Sequence, residues 1–213
     1  MIVSKIINNS KWFLFGTLCI LVGLYPIIYF LIDRHFGLLA SKNQVLLNDQ
    51  MWNFSFYGHI ILGGIALLIG WTQFSSKLRT RRIKLHKNIG KVYIISVLIS
   101  STCGIYIAQF ATGGISNVIG FTLSGLVWLI TTVLAYKSVI RGKIQLHQKF
   151  MIYSYAVCFS AVTLRIWLPL LTSITGEFNS AYLIVGWLSW VPNLFVAYFI
   201  INKKEGRLVT KNI

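Results

Sequence analysis

Six long apolar stretches dominate the chain and constrain its fold more than any other feature. Each is about 20 residues long, which as a helix crosses a hydrocarbon core of roughly 30 Å. Barrel strands are shorter and alternate in polarity, so these uniformly apolar runs predict transmembrane helices. The predicted spans cover residues 12–32, 54–74, 91–111, 117–137, 150–172 and 181–201. The expected fold is an all-α integral membrane protein, a bundle of six transmembrane helices.

The composition is consistent with an integral membrane protein and excludes the other broad classes. Charged residues make up 11% of the 213-residue chain and hydrophobic residues 56%, whereas a soluble domain carries roughly 25% charged residues. A water-soluble globule cannot cover its surface with so few polar side chains. An ordinary soluble enzyme, a disordered chain and a disulfide scaffold are therefore excluded. The longest connection carries no nucleotide-binding or nucleophile motif, so residues 1–213 are treated as one transmembrane domain.

The net charge of +16 predicts the orientation of the bundle. Most of the 20 Lys and Arg residues fall in the two terminal segments and in the second-to-third and fourth-to-fifth connections. The opposite side carries only Arg34 and Lys42. Because cytoplasmic loops of membrane proteins have an excess of basic residues, we expect both termini to be cytoplasmic. Once these loops are assigned no basic face remains, so the sequence does not favour nucleic-acid binding.

The first span and the cysteines carry no sign of processing or metal chemistry. The first apolar run is longer than a signal-peptide core and no small-residue cleavage site follows it, which predicts an uncleaved span. Cys19, Cys103 and Cys158 all fall within predicted spans, and no Cys-x-x-Cys pair occurs. This pattern favours small packing residues over zinc ligands or a redox disulfide, and we predict no metal site.

Two histidines open the third and fifth spans on the predicted cytoplasmic side. Their surroundings are similar, since residues 83–87 read Ile-Lys-Leu-His-Lys and residues 144–148 read Ile-Gln-Leu-His-Gln. The match suggests a weak internal repeat of two helical hairpins. A histidine at such a position can simply be solvated in the headgroup layer. Alternatively, His86 and His147 can be the axial ligands of one b-type haem, with small residues such as Gly90 leaving room for the macrocycle.

A second group of polar residues falls near the predicted outer side. His59 in the second span and Arg165 in the fifth lie at similar depth, and Gln109 lies near the outer end of the third. Ionisable groups inside a membrane are costly and usually face the bundle interior. No acid lies within any span, so Arg165 needs carbonyls, an anionic ligand or a loop acid as a partner. The candidate acids are Asp33, Asp49 and Glu177.

Two interpretations of Arg165 remain open at this point. The guanidinium can extend to the outer headgroups and bind lipid phosphate. Alternatively, Arg165 belongs to an anion-binding site in the outer half of the bundle, with His59 and Gln109 as neighbours.

Four sequence segments between about Gly58 and Pro169 follow one another in a specific order and together form a motif pattern. They are His-x-x-x-Gly with Gly-Trp-Thr-Gln-Phe in 59–74, Leu-Arg-x-Arg with Leu-His-Lys-x-x-Gly-Lys-x-Tyr in 78–93, Leu-His-Gln-Lys-Phe-Met-x-x-Ser-Tyr-Ala in 146–156, and Ala-Val-Thr-Leu-Arg with Pro in 161–169. With these segments the chain resembles the bacterial membrane protein family called domain of unknown function 2306. It departs from the family pattern at Lys87, Lys91 and Gln148, where arginine is expected. The resemblance implies a multi-pass protein of the bacterial inner membrane and supplies no reaction.

Three kinds of function remain open from the sequence. The first is a redox protein, in which His86 and His147 hold a b-type haem or a quinone lies near His59 and Arg165. The second is a non-enzymatic binder or transporter of an anionic or amphipathic molecule that uses Arg165 and His59, although no clear broken-helix signature is evident. The third is a structural or partner-binding subunit in the lipid bilayer. The sequence leaves open whether the protein is an enzyme, and the lack of an intramembrane acid disfavours hydrolysis.

Overall fold

The computed structural model describes residues 2–31 and 37–209, with the side chains of 10–31 and 37–204, and this part of the chain is helical. The helices in chain order are α1 (Ile2–Leu24), α2 (Ile28–Leu31), α3 (Gln44–Asn48), α4 (Gln50–Gly70), α5 (Ser76–Arg81), α6 (Ile83–Ala108), α7 (Ile115–Ile140), α8 (Ile144–Cys158), α9 (Ser160–Thr175), α10 (Phe178–Leu188) and α11 (Val191–Val209). Short 3₁₀ turns cover Tyr25–Ile27, Gly37–Ser41 and Trp71–Phe74.

Six helical segments of the described chain are long and apolar enough to cross a membrane, which confirms the predicted number of spans. They are Ser10–Leu31, Gln50–Phe74, Ile83–Ala108, Ile115–Ile140, Ile144–Thr175 and Phe178–Lys204. The third and fifth begin several residues before the predicted starts. The helix continues through these basic stretches because Lys, Leu and Gln are good helix formers whose polar ends reach water. His86 and His147 consequently lie in the first turns of α6 and α8.

The two ends of the bundle differ in character. At the end that we call the basic end, α5 and the α7–α8 connection carry many Lys and Arg residues. At the opposite end, here called the capped end, residues 37–48 pack onto the bundle through an apolar cluster of Leu39, Leu47, Trp52 and Phe56. Lys42 Nζ donates to the Phe110 carbonyl at 2.5 Å and to Thr112 Oγ1 at 2.9 Å. These bonds tie the covering segment to the α6–α7 connection.

Two of the six spans are interrupted near their middle. α8 ends at Cys158 and α9 begins at Ser160, while α10 ends at Leu188 and α11 begins at Val191. The breaks correct the expectation of uninterrupted spans. Pro192 accounts for the second break, because proline has no N–H for the backbone ladder and is favoured in the first turn of a helix, where it lies in α11. No glycine or proline lies at the first break, so the sequence does not predict it.

The two breaks lie against each other and satisfy each other's backbone. Asn193 Nδ2 donates to the Ala156 carbonyl at 3.2 Å and to the Ser189 carbonyl at 3.0 Å. The Thr163 hydroxyl also donates to the Ser189 carbonyl. Inside a membrane, carbonyls released from a helix must find partners within the protein. Side chains of α9 and α11 therefore allow both spans to stay broken.

Small residues let the helices approach closely around a core at mid-depth. α4 packs along α6, and α7 packs along α8. The core contains the buried rings of Tyr93 and Tyr155. A Cβ on Gly70 would lie 2.7 Å from Tyr155 Cδ2 and 2.8 Å from Tyr93 Cε2, so only glycine fits there. Close helix contacts of this kind are typical of membrane bundles, in which packing replaces the hydrophobic effect.

Candidate functional site

A cavity of about 790 Å³ lies in the capped half of the bundle. The spanning helices and the covering segment form its walls, which are mainly aliphatic and aromatic. Three basic side chains border it: Lys42, His59 and Arg165. Among the described residues, no Asp or Glu borders the cavity. Apolar walls with a few convergent polar groups are typical of small-molecule sites.

Arg165 borders this cavity with few groups to offset its charge. Its Nη1 donates to the Ala161 carbonyl at 2.8 Å, one turn earlier in α9. The guanidinium carbon lies 4.2 Å from the centre of the Tyr25 ring, in a cation–π contact. Arg165 Nε is buried and has no hydrogen-bond partner within the described chain. The guanidinium is thus held by the 3₁₀ turn after α1 and by α9, and its Nε–H is left without a hydrogen-bond partner in the described chain.

Two of the three loop acids considered as partners of Arg165, Asp49 and Glu177, have other hydrogen-bond partners. Asp49 Oδ1 accepts from the Trp52 N–H at 2.6 Å and caps α4. Glu177 Oε2 accepts from the Ser180 hydroxyl at 2.8 Å. Asp33 lies outside the described residues. Of the partners that the sequence left open for Arg165, the structure therefore shows a carbonyl.

His59 projects from α4 and is held by α6. Its Nδ1 lies 2.9 Å from the Ser100 carbonyl oxygen, and the Ser100 hydroxyl donates to the His59 carbonyl at 2.8 Å. The ring lies against Gly104, where a Cβ would come within 2.7 Å of Nδ1. His59 and Arg165 border the same cavity and are close enough to interact electrostatically. These two residues, predicted to lie at similar depth, thus border the same cavity.

Lys42 is a cationic group of this site that the sequence analysis counted only as a loop charge. Burial lowers the pKa of Lys42 from its ordinary value, since desolvation disfavours the charged form. Its ammonium group donates to a carbonyl and a hydroxyl, which are neutral acceptors. Its approach to the cavity depends on the path of residues 37–48 across the bundle, for which the sequence carries no local signal.

Gln109 does not belong to the cavity, and its assignment as a neighbour of Arg165 is corrected. Its Nε2 donates to Thr122 Oγ1 at 3.0 Å and to the Ile105 carbonyl at 3.1 Å. α6 ends at Ala108, and the exposed Gln109 side chain turns toward α7. The sequence predicted that Gln109 lies near the end of the third span, but it did not predict that its side chain points toward α7.

His86 and His147 lie near each other at the basic end. They are close enough to interact electrostatically, and neither borders the cavity. Two turns further along α6 and α8, the hydroxyls of Tyr93 and Ser154 are hydrogen-bonded at 2.8 Å, so the same faces of the two helices remain opposed. His147 Nδ1 lies 3.0 Å from the Ala135 carbonyl oxygen. His86 Nδ1 is buried and has no hydrogen-bond partner in the described part of the chain.

Gln73 lies beside this histidine pair. A Cβ on Gly90, one turn after His86, would lie 3.6 Å from Gln73 Oε1. Gln73 Nε2 is itself buried without a hydrogen-bond partner among the described atoms. The space beside Gly90, predicted to accommodate a haem macrocycle, therefore adjoins the buried amide of Gln73. Among the side chains described, those of residues 10–31 and 37–204, no three His, Cys, Asp or Glu residues cluster as metal ligands would.

Buried hydroxyls join the helices between the two histidine sites. Ser154 Oγ lies 2.8 Å from the Tyr93 hydroxyl and 2.7 Å from Thr132 Oγ1. The Tyr155 hydroxyl donates to the Leu67 carbonyl at 3.0 Å. Such interhelical bonds contribute roughly 0.6 kcal/mol each in membrane bundles. These pairs have no local sequence signal, because each partner lies on a different helix.

The fold and the cavity define a multi-pass helical membrane protein with a cationic intramembrane pocket. The family described as predicted membrane protein DUF2306 matches residues 56–201, which is more than half of the chain. The chain belongs to this family, and the match extends the resemblance seen in the sequence beyond Pro169. No curated protein and no solved structure matches the chain.

Proposed function

We propose that this protein binds an anionic amphipathic small molecule in the cavity of the capped end. The observation that supports this most directly is the setting of Arg165. It borders a cavity of about 790 Å³ and has a carbonyl and an aromatic ring, but no carboxylate, as partners among the described residues. In this proposal Arg165 and His59 contact the head group, and the guanidinium keeps its cation–π contact with the Tyr25 ring.

The electrostatics favour an anionic head group. Removing a guanidinium from water is costly unless the charge is paired. The cation–π contact offsets only about 0.5–2 kcal/mol of that cost. An anionic oxygen would form charge-assisted hydrogen bonds, which are roughly twice as strong as neutral ones. Lys42 adds a second positive charge to the same cavity.

The walls favour an apolar tail on the same molecule. Leu67, Trp128 and Leu164 are among the apolar side chains that border the cavity. Pockets for small molecules typically enclose about 300–1,000 Å³, so the space suits a molecule of moderate size. A ligand with a charged head and an apolar tail would match both the basic groups and the walls.

The paired helix breaks favour transport of the bound molecule. Ser160 and Ala161, the first residues of α9, border the cavity together with Ser189 at the second break. The positive end of a helix attracts anions, and secondary transporters place binding sites where their spanning helices are interrupted. With the basic end in the cytoplasm of a bacterium, the cavity lies in the outer half of the inner membrane.

Calorimetric titration of the purified protein in amphipol tests the binding proposal. The probes are decyl phosphate and decanol at about pH 5.5, where a phosphate monoester is largely a monoanion. We expect decyl phosphate to bind about tenfold or more tightly than decanol, and Arg165→Gln to lose about that factor for decyl phosphate alone. Arg141→Gln, which removes an exposed cation at the basic end, is the matched control. Equal affinities for the two probes, or an unchanged affinity in Arg165→Gln, would contradict the proposal.

A second candidate function rests on His86 and His147. Both residues lie in the first turns of α6 and α8, whose faces are opposed two turns further on, and together they would hold a b-type haem, which would supply one-electron redox chemistry. The buried, unpartnered His86 Nδ1 also fits a missing group at this position. The test is an absorbance spectrum of protein expressed with added haem, oxidised and then reduced with dithionite. A reducible Soret band that disappears in His86→Ala and in His147→Ala supports haem binding, and a colourless folded protein excludes it.

A further inference from the structure

The hydrogen on the His59 ring can be placed from its contacts with Ser100. The Ser100 carbonyl oxygen, 2.9 Å from Nδ1, can only accept, so Nδ1 carries the hydrogen. The Ser100 hydroxyl lies 3.3 Å from Nδ1, but its single hydrogen is directed to the His59 carbonyl at 2.8 Å. It therefore cannot donate to Nδ1. Both contacts lead to the same tautomer.

In its neutral form this tautomer leaves Nε2 as a hydrogen-bond acceptor on a residue that borders the cavity. In a neutral imidazole with hydrogen on Nδ1, Nε2 presents a lone pair. Within the described chain, no group donates a hydrogen bond to Nε2 of His59. The ring packs closely against Gly104, where an added Cβ would lie 2.7 Å from Nδ1 and 3.0 Å from Cε1. An acceptor on His59 and donors on Arg165 thus border one space.

We infer that the head group of the ligand carries an O–H donor in addition to its anionic oxygen. The anionic oxygen would accept from the Arg165 guanidinium, and the O–H would donate to His59 Nε2. A monoprotonated phosphate monoester has both features on one head group. A sulfate ester has the same shape and charge but no O–H. This inference rests on the proposed function, and it adds the class of head group that the same site selects.

Decyl phosphate and decyl sulfate form a matched pair of probes. At about pH 5.5 both are largely monoanions, and the hydroxyl of the phosphate is the main difference between them. We expect the wild-type protein to bind decyl phosphate about tenfold more tightly, because a buried acceptor left without a donor costs about 1–3 kcal/mol. His59→Phe should lower the decyl phosphate affinity to that of decyl sulfate. Because this variant also removes the acceptor that decyl sulfate leaves without a donor, the two affinities should then differ by no more than about twofold.

The outcomes separate failure of this inference from failure of the proposed function. Equal wild-type affinities for the two probes, both reduced by Arg165→Gln, would overturn the O–H inference and leave the anion site intact. Affinities of both probes no better than that of decanol would remove the proposed function itself. A phosphate preference that persists in His59→Phe would show that another group recognises the hydroxyl, and would also overturn the inference.

A second pair of variants covers the case in which His59→Phe does not fold. Gly104→Ala places a methyl group against the His59 ring and should displace it, which reduces the phosphate-to-sulfate preference toward one. Gly90→Ala lies on the same helix, and its methyl group meets Gln73 at an ordinary contact of 3.6 Å, so the preference should stay at the wild-type value. A full preference in Gly104→Ala would overturn the inference.

Discussion

The guanidinium of Arg165 lies over the ring of Tyr25, with 4.2 Å between its central carbon and the ring centroid. Tyr25 belongs to the 3₁₀ turn after α1, and Arg165 belongs to α9, so the contact joins the first span to the fifth. Pro169, four residues after Arg165, has no N–H to donate to the Arg165 carbonyl. The positive charge of Arg165 therefore lies where α9 also lacks one backbone hydrogen bond. Both features belong to the wall of the cavity.

Changing Tyr25 separates the role of its ring from that of its hydroxyl. Tyr25→Phe keeps the aromatic face, so the affinity for decyl phosphate should stay within about twofold of wild type. Tyr25→Leu removes a cation–π contact worth about 0.5–2 kcal/mol, and both the thermal stability and the affinity should fall. Thermal unfolding and calorimetric titration measure the two effects. Equal losses in both variants would assign the effect to the hydroxyl and contradict the cation–π interpretation.

Asn193→Asp should destabilise the protein through the two helix breaks. An ionised aspartate cannot donate and a protonated one has a single hydrogen to donate, so the carbonyls of Ala156 and Ser189 lose at least one of the two bonds made by Nδ2. Leaving an inward carbonyl unsatisfied costs about 1–3 kcal/mol, which a denaturant titration in detergent can resolve. Asn202→Asp, an exposed change further along α11, is the control and should have little effect. Similar stabilities of the two variants would argue against the proposed role of Asn193.

Gly70→Ala should be destabilising because it overpacks the core. The added methyl group would contact the Tyr93 and Tyr155 rings, with distances of 2.8 Å to Tyr93 Cε2 and 2.7 Å to Tyr155 Cδ2. Overpacking of this kind typically costs about 1–3 kcal/mol. Gly90→Ala, which meets only an ordinary contact, should be neutral or slightly stabilising in the same thermal assay. A wild-type melting temperature for Gly70→Ala would show that the rings move aside easily.

Single cysteines can test the predicted orientation of the bundle. Val45 is exposed at the capped end and Lys143 is exposed in the α7–α8 connection. In intact cells, a membrane-impermeant maleimide should label Val45→Cys and leave Lys143→Cys unlabelled until the membrane is permeabilised. The wild-type protein, with Cys19, Cys103 and Cys158 inside the bundle, provides the background. The reverse labelling pattern would place both termini outside the cytoplasm.

The element boundaries show how far hydropathy alone could predict this fold. All six spans were found, because each apolar run must by itself match the thickness of the hydrocarbon core. The starts of α6 and α8 were placed too late, since the helices continue into basic segments that are not apolar. The break after Cys158 was missed because no glycine or proline marks it. Near this break the Ala156 carbonyl accepts from Asn193, which belongs to another span.

The candidate site could likewise be predicted from the sequence only in part. The cost of placing charge in a membrane singled out Arg165 and His59 from the sequence, and both border one cavity. Gln109 had a suitable depth but turns toward Thr122. Lys42 reaches the cavity only because residues 37–48 fold over the capped end. Depth follows from position in the sequence at a fixed rise per residue, whereas side-chain direction follows from how each helix is rotated against its neighbours.

The sequence by itself determined the class of protein, the number of spans and the residues whose burial demands a partner. Those properties depend on the transfer of each segment from water to lipid, which is a sum over its own residues. Only the tertiary structure decided that Ser100 orients His59, that Tyr25 supports Arg165 and that two helix breaks satisfy each other. Such pairings depend on the rotation and offset of all six spans together. These are set by close packing between helices, which no single segment specifies.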